Sequence, residues 1–124
     1  VVNHKEKLSM DERLEKALEF ANYRTTLSMQ KRNIRARMQV LQTLHYKGGS
    51  FIANELTISF VNTLIQLTKT SAIIIDIKDN PIEIDDLSDF QSSLVEAYTQ
   101  ASNEYKVQMD KIKKARNIKK IMDW

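Results

Sequence analysis

The chain has 124 residues, 42% of them hydrophobic and 28% charged, with a formal net charge of +3 at pH 7 and a pI near 9.1. This is the make-up of one ordinary globular domain, long enough to bury a core without a disulfide or metal staple. Cysteine is absent, which excludes thiolate catalysis, CxxC redox chemistry, cysteine-ligated zinc and a disulfide scaffold.

The longest apolar runs, such as Ala72 to Ile75, are too short to span a membrane. The opening Val1-Val2-Asn3-His4-Lys5 lacks the apolar core of a signal peptide. The chain starts without Met, which leaves a removed N-terminal signal open; the absence of cysteine suits a reducing cytosol, and a cytoplasmic protein with no membrane partner is expected. Two glycines, Gly48 and Gly49, and a lone Pro81 are the only strong breaks, so the rest of the chain should form long helices.

The first element is predicted as one helix from about Met10 to Tyr46. Ser9-Met10-Asp11-Glu12 reads as a capping box, with Asp11, Glu12 and Glu15 on the positive end of the helix dipole. Phe20, Leu27, Ile34 and Leu41 recur every seven residues, and Leu14, Leu18, Met38 and Leu44 widen the stripe. Glycine after Lys47 can take the left-handed geometry that ends a helix.

In the middle, Leu56, Phe60, Leu64 and Leu67 follow helical spacing from Glu55 to Thr68, while Ile58, Val61 and Ile65 fall on another side. Such a helix is apolar on most faces and should be buried. Ala72 to Ile77, the turn Lys78-Asp79-Asn80-Pro81 and Ile82-Glu83-Ile84 then suggest a short hairpin. The last element is a helix from about Asp86 to Lys120, opened by Ser88-x-x-Gln91. Tyr98, Tyr105 and Ile112 repeat every seven residues along it, beside Leu94, Ala101, Ala115 and Met122.

Charge sets the expected packing. Residues 20 to 47 carry six basic side chains and no acid, and the end of the last helix is also basic, whereas acids gather at the start of each long helix. Antiparallel pairing places opposite charges side by side, each exposed contact contributing only a few tenths of a kcal/mol. A helix from Met10 to Tyr46 is about 55 Å long, against a diameter of roughly 35 Å for a compact globule of this length. The expected fold is mainly α: two long antiparallel helices, a short buried middle helix and a small β-hairpin at one end, in a helical-bundle, coiled-coil oligomer. A dimer with a four-helix core is the simplest cover for the stripes. Phe20, Leu27, Ile34, Leu41, Tyr98, Tyr105 and Ile112 are its expected protein-interface residues.

No glycine-rich phosphate loop, nucleophile elbow or HExxH stands in the sequence, so neither catalysis nor a cofactor is expected. His4 and His45 are isolated. The acids from Asp76 to Asp86 lack the glycine and register of a calcium loop and read as a solvated hairpin leading into an acidic helix start. An interaction or assembly protein is the leading class. The alternative is sequence-nonspecific nucleic-acid binding through basic helix faces, for which Arg32, Arg35, Lys113, Lys114 and Arg116 are the candidates.

The order of a long helix, Gly48-Gly49-Ser50-Phe51, an apolar middle, Asp79-Asn80-Pro81-Ile82-Glu83-Ile84-Asp85-Asp86-Leu87 and a helix with Ala101-Ser102-Asn103-Glu104-Tyr105 resembles small accessory proteins of T4-like bacteriophages. The resemblance extends over most of the chain. It implies a virion-assembly or replication-accessory role in the host cytoplasm and brings no functional residue with it.

Overall fold

A computed structural model describes the backbone of residues 2–122 and the side chains of residues 10–116. The side chains of His4, Ser9, Lys119, Lys120 and Met122 thus lie outside the described residues. The elements in order are α1 (Val2–Gln42), β1 (Thr43–Tyr46), β2 (Gly49–Ile52), α2 (Glu55–Gln66), β3 (Ala72–Ile75), β4 (Pro81–Ile84) and α3 (Leu87–Met122). Internal contacts divide the chain into Val1–Asn33 and Ile34–Trp124. The protein is mostly helical, as expected, but carries two antiparallel hairpins where the sequence suggested one.

Both long helices differ from expectation at an end. α1 already runs through Ser9, so the Ser9–Glu12 box does not start it. It stops at Gln42, four residues early, because Thr43–Tyr46 pairs with Gly49–Ile52. Lys47 (φ 53°) and Gly48 (φ 82°) both take positive φ, the backbone of a type I′ two-residue hairpin turn. The glycines therefore turn a hairpin rather than cap a helix. At α3 the cap is Asp86, not Ser88: its Oδ1 accepts from the Asp89 amide at 3.1 Å, and its carbonyl accepts from Phe90 N.

In each hairpin, strand alternation sorts the side chains. Leu44, Tyr46, Gly49 and Phe51 share the inner face of β1–β2, while Ala72, Ile74, Ile82 and Ile84 share that of β3–β4. Gly49 has to be glycine, since a Cβ there would stand 2.7 Å from Ile82 Cγ1 and 2.9 Å from Phe51 Cε2. These faces meet the first turns of α3, whose Leu87, Phe90, Leu94, Ala97 and Ala101 follow three–four spacing along one stripe. Phe90 sits at the centre, 4.9 Å from the Phe51 ring in an edge-on contact and 5.0 Å from the Tyr46 ring. Phe90, Ile84, Leu87, Leu94 and Val61 are fully buried, each contributing about 1.5–3 kcal/mol of transfer free energy.

The middle helix contradicts the expectation of burial. α2 is capped by Asn54, whose Oδ1 accepts from Thr57 N at 2.8 Å, and it buries only Val61 completely. Ile58, Leu64 and Ile65 are half-buried against the core, but Leu56, Phe60 and Leu67 face water. The helix covers the core with one side and leaves a second apolar side open. It ends in a Schellman motif: Thr68 N donates to Ile65 O and Lys69 N to Leu64 O, with Thr68 at φ 63° where glycine is usual.

Candidate functional site

Asp76 joins the two hairpins. It is buried, and its carboxylate accepts from Ser50 N (3.0 Å), Asn80 N (2.8 Å) and Lys78 N (3.0 Å). The Ser50 and Asn80 amides, with the smaller help of Lys78, hold its carboxyl below the ordinary carboxylate range, against the desolvation that opposes them. With three backbone donors on its two oxygens, Asp76 organises the 76–80 loop instead of offering a metal ligand. Among the described residues, no three histidines or carboxylates gather closely enough to hold a metal ion.

Beside this junction the two hairpins present free edges to one another. Ser50 sends both backbone groups away from β1: its N–H to Asp76 and its C=O to Ile77 N at 2.9 Å. Amide direction alternates along a strand, so the N–H and C=O of Ile52 point the same way. On the other hairpin, Asp76 N donates to Asn80 O, hence Ile75 and Ile73 turn their backbone groups away from β4, as Ile77 does. The facing edges are thus stitched by the Ile77–Ser50 bond at one end. Further along, they line a groove of about 610 Å³.

The groove is apolar. Phe51 and Ile74 line it from the buried core, Ile52, Ile73, Ile75 and Ile77 from the strand edges and their continuation, and Leu56 and Phe60 from α2. Leu56 is 79% exposed, Ile73 70%, Ile75 67% and Phe60 53%. Ile77 is 49% exposed and Ile52 44%, so the groove is lined mainly by exposed large apolar side chains. This site is not among those expected from the sequence. Its signal was the run Ile73-Ile74-Ile75, in which strand alternation must turn two of three isoleucines outward unless both faces are covered.

The expected interface residues divide differently. Phe20 is more than half exposed, with the Arg24 guanidinium 5.9 Å from its ring centre. Met10, Leu14, Leu18 and Met29 of the same helix are likewise more than half exposed, and Leu27 is half-buried. Ile34, Leu41, Tyr105 and Ile112 are half-buried. Tyr98 packs against the core of its own chain and donates to Glu55 Oε1 at 2.8 Å, a bond that raises its pKa. Tyr46 OH donates to Asp89 Oδ2 at 2.7 Å. This bond first, then burial and the charges of Asp89, Asp86 and Asp85, pushes the Tyr46 phenol up to about 12.

The five cations singled out for nucleic acid, Arg32, Arg35, Lys113, Lys114 and Arg116, are all exposed. Arg37, two residues after Arg35, pairs with Glu104 at 3.6 Å. Among the described residues no helix is long and apolar enough to cross a membrane. Comparison of the chain with models of protein families, with curated proteins and with solved structures finds no match.

Proposed function

We propose that the chain is a non-enzymatic assembly protein that acts in the cytoplasm as a homo-oligomer, a dimer being the simplest form, with its chemistry confined to surface burial. The observation that carries this reading is exposed apolar surface on α1: Met10, Leu14, Leu18 and Met29 stand more than half exposed on one side of the helix and Phe20 on another. A helix with such surface gains little stability in water by itself, whereas covering each of these side chains contributes up to about 1.5–3 kcal/mol. Within Ile34–Trp124, one contact from the last turns of α1 and one from β1 support a head-to-tail sense for this end of α1 and for α3. Arg37 meets Glu104 and, further along, Tyr46 meets Asp89, so the chain advances on one side as it retreats on the other. The virion-assembly or replication-accessory role implied by the phage resemblance belongs to this proposal.

Dilution tests it. Ellipticity at 222 nm should fall as the protein is diluted through its dissociation range, because α1 loses its cover. A Leu14→Asp/Leu18→Asp variant should show the low value at every concentration while Phe90 and its neighbours stay packed by near-ultraviolet dichroism. Ellipticity independent of both dilution and substitution would contradict the reading.

A second reading rests on the exposure of all five candidate cations. Among the described residues, Arg32, Arg35, Lys114 and Arg116 make no ion pair, and the charge of Lys113 acts on Asp110. Nonspecific nucleic-acid binding through them should weaken steeply with salt and lose about one unit of log–log salt slope for each charge removed. Salt-independent binding, or none, excludes it.

A further inference from the structure

The open seam between the two hairpins has the form of a strand acceptor. We propose that it binds an extended segment of a different protein, apolar on alternate residues and basic on the others, which inserts between β2 and β3. This surface is separate from the α1 stripe, and the assignment holds whether or not the chain is an oligomer.

Three observations fix the occupant. The groove is walled by large apolar side chains that no element of its own hairpins covers, which calls for an apolar guest. Its two long walls are strand edges whose Ile52, Ile73 and Ile75 backbone groups point outward, so the guest gains most if it brings N–H and C=O groups of its own at strand spacing. A helix satisfies its backbone internally and a small apolar molecule has no amides, so each leaves those edges unpaired. The third observation is charge. Of the charged residues in the lining or next to it, Asp76, Glu55 and Glu83 (opposite Ile73 in register) are acidic and Lys78 is basic, a net charge of −2 within a chain of net charge +3. A second copy would bring acid against acid. The basic runs of this chain, Lys31 to Arg37 and Lys111 to Arg116, lie in α1 and α3 and are not extended. Electrostatic complementarity therefore selects a foreign, basic strand, which steers the encounter and rejects acidic competitors.

The test is a fluorescence-anisotropy titration of the full chain with a labelled nonapeptide of alternating lysine and valine. Three comparison peptides accompany it: the same sequence N-methylated on alternate residues, alternating glutamate and valine, and a lysine–leucine peptide stapled as a helix. The first should bind, with the other three weaker by about tenfold or more, a difference of about 1.4 kcal/mol per decade. Amide exchange should slow at Ile52, Ile73 and Ile75 on binding. Ile75→Lys and Leu56→Lys both change exposed side chains. Each should reduce binding about tenfold without moving the melting temperature. Failure of the lysine–valine peptide to bind, equal binding of the N-methylated, glutamate or helical peptide, or an unchanged affinity in both variants would overturn the assignment. So would an oligomer that Ile75→Lys dissolves, because the face would then seat a second copy.

Discussion

Thr68 is the residue most at odds with its backbone. A β-branched side chain at φ 63° carries the steric cost of the left-handed region, roughly 1–2 kcal/mol, which glycine does not. Replacing Thr68 by glycine should therefore stabilise the protein by about 1 kcal/mol and raise the melting temperature by about 4 °C, as calorimetry would show; an unchanged or lower value would mean that the Thr68 hydroxyl, 2.6 Å from the Leu67 carbonyl, matters more than the strain. Two titrating groups act at opposite ends of the pH scale. Neutral Tyr46 is favoured in the fold, so its contribution is complete below its unfolded pKa of about 10 and is lost as pH rises towards 12. Ionised Asp76 is favoured, so its contribution is complete above its unfolded pKa of about 3.9 and is lost as pH falls below that value. Denaturant melts of Tyr46→Phe and Asp76→Asn should each flatten one limb of the stability–pH curve: the alkaline limb for the first, the acid limb for the second. An Asp76→Asn variant with an intact acid limb would remove the role given to its carboxylate. None of this could be read from the sequence, where Thr68 bears no mark of a helix end and Asp76 looks like one more surface acid.

At the scale of elements, what was legible depended on whether local pattern and tertiary pairing agreed. The hairpin around Pro81 was visible because a β-branched run, a turn and a second alternating run follow one another. The hairpin around Gly48 was hidden because Leu41 and Leu44 continue the helical stripe of α1, and Lys47-Gly48 is not the asparagine–glycine pair that announces a type I′ turn. The α2 pattern was read correctly as a helix but wrongly as buried: only one of its two apolar sides meets the core, and the other lines the groove. In α3 the Tyr98 row was conspicuous and Leu94 stood beside it, yet main core contacts also come from Leu87 and Phe90, disguised by the acids around Asp85 to Asp89. Gly49 tests whether the two hairpins really pack on one another. Gly49→Ala should cost about 1–3 kcal/mol, since the new methyl must displace Ile82 or Phe51. Gly48→Ala meets open space and should cost only about 1 kcal/mol of backbone strain. Equal losses in the two variants would argue against the close approach at Gly49.

For the whole molecule, the governing fact is an excess of uncovered apolar surface in two places of different character. Along α1 it lies mainly at Met10, Leu14, Leu18 and Met29, off the seven-residue row, of which Phe20 alone is more than half exposed; beside β3 it is a groove between strand edges, and only the folded register reveals it. We propose a second copy for the first place and a foreign strand for the second. The claim on which the rest depends is that two or more chains share the α1 stripe. Multi-angle light scattering on the eluting peak of a size-exclusion column addresses it directly, because the mass it returns does not depend on the length of the helices. A mass of at least twice the 14.4 kDa of one chain, falling to 14.4 kDa in the Leu14→Asp/Leu18→Asp variant, is the expected result. A folded species of 14.4 kDa for the unaltered protein at every concentration would contradict the account.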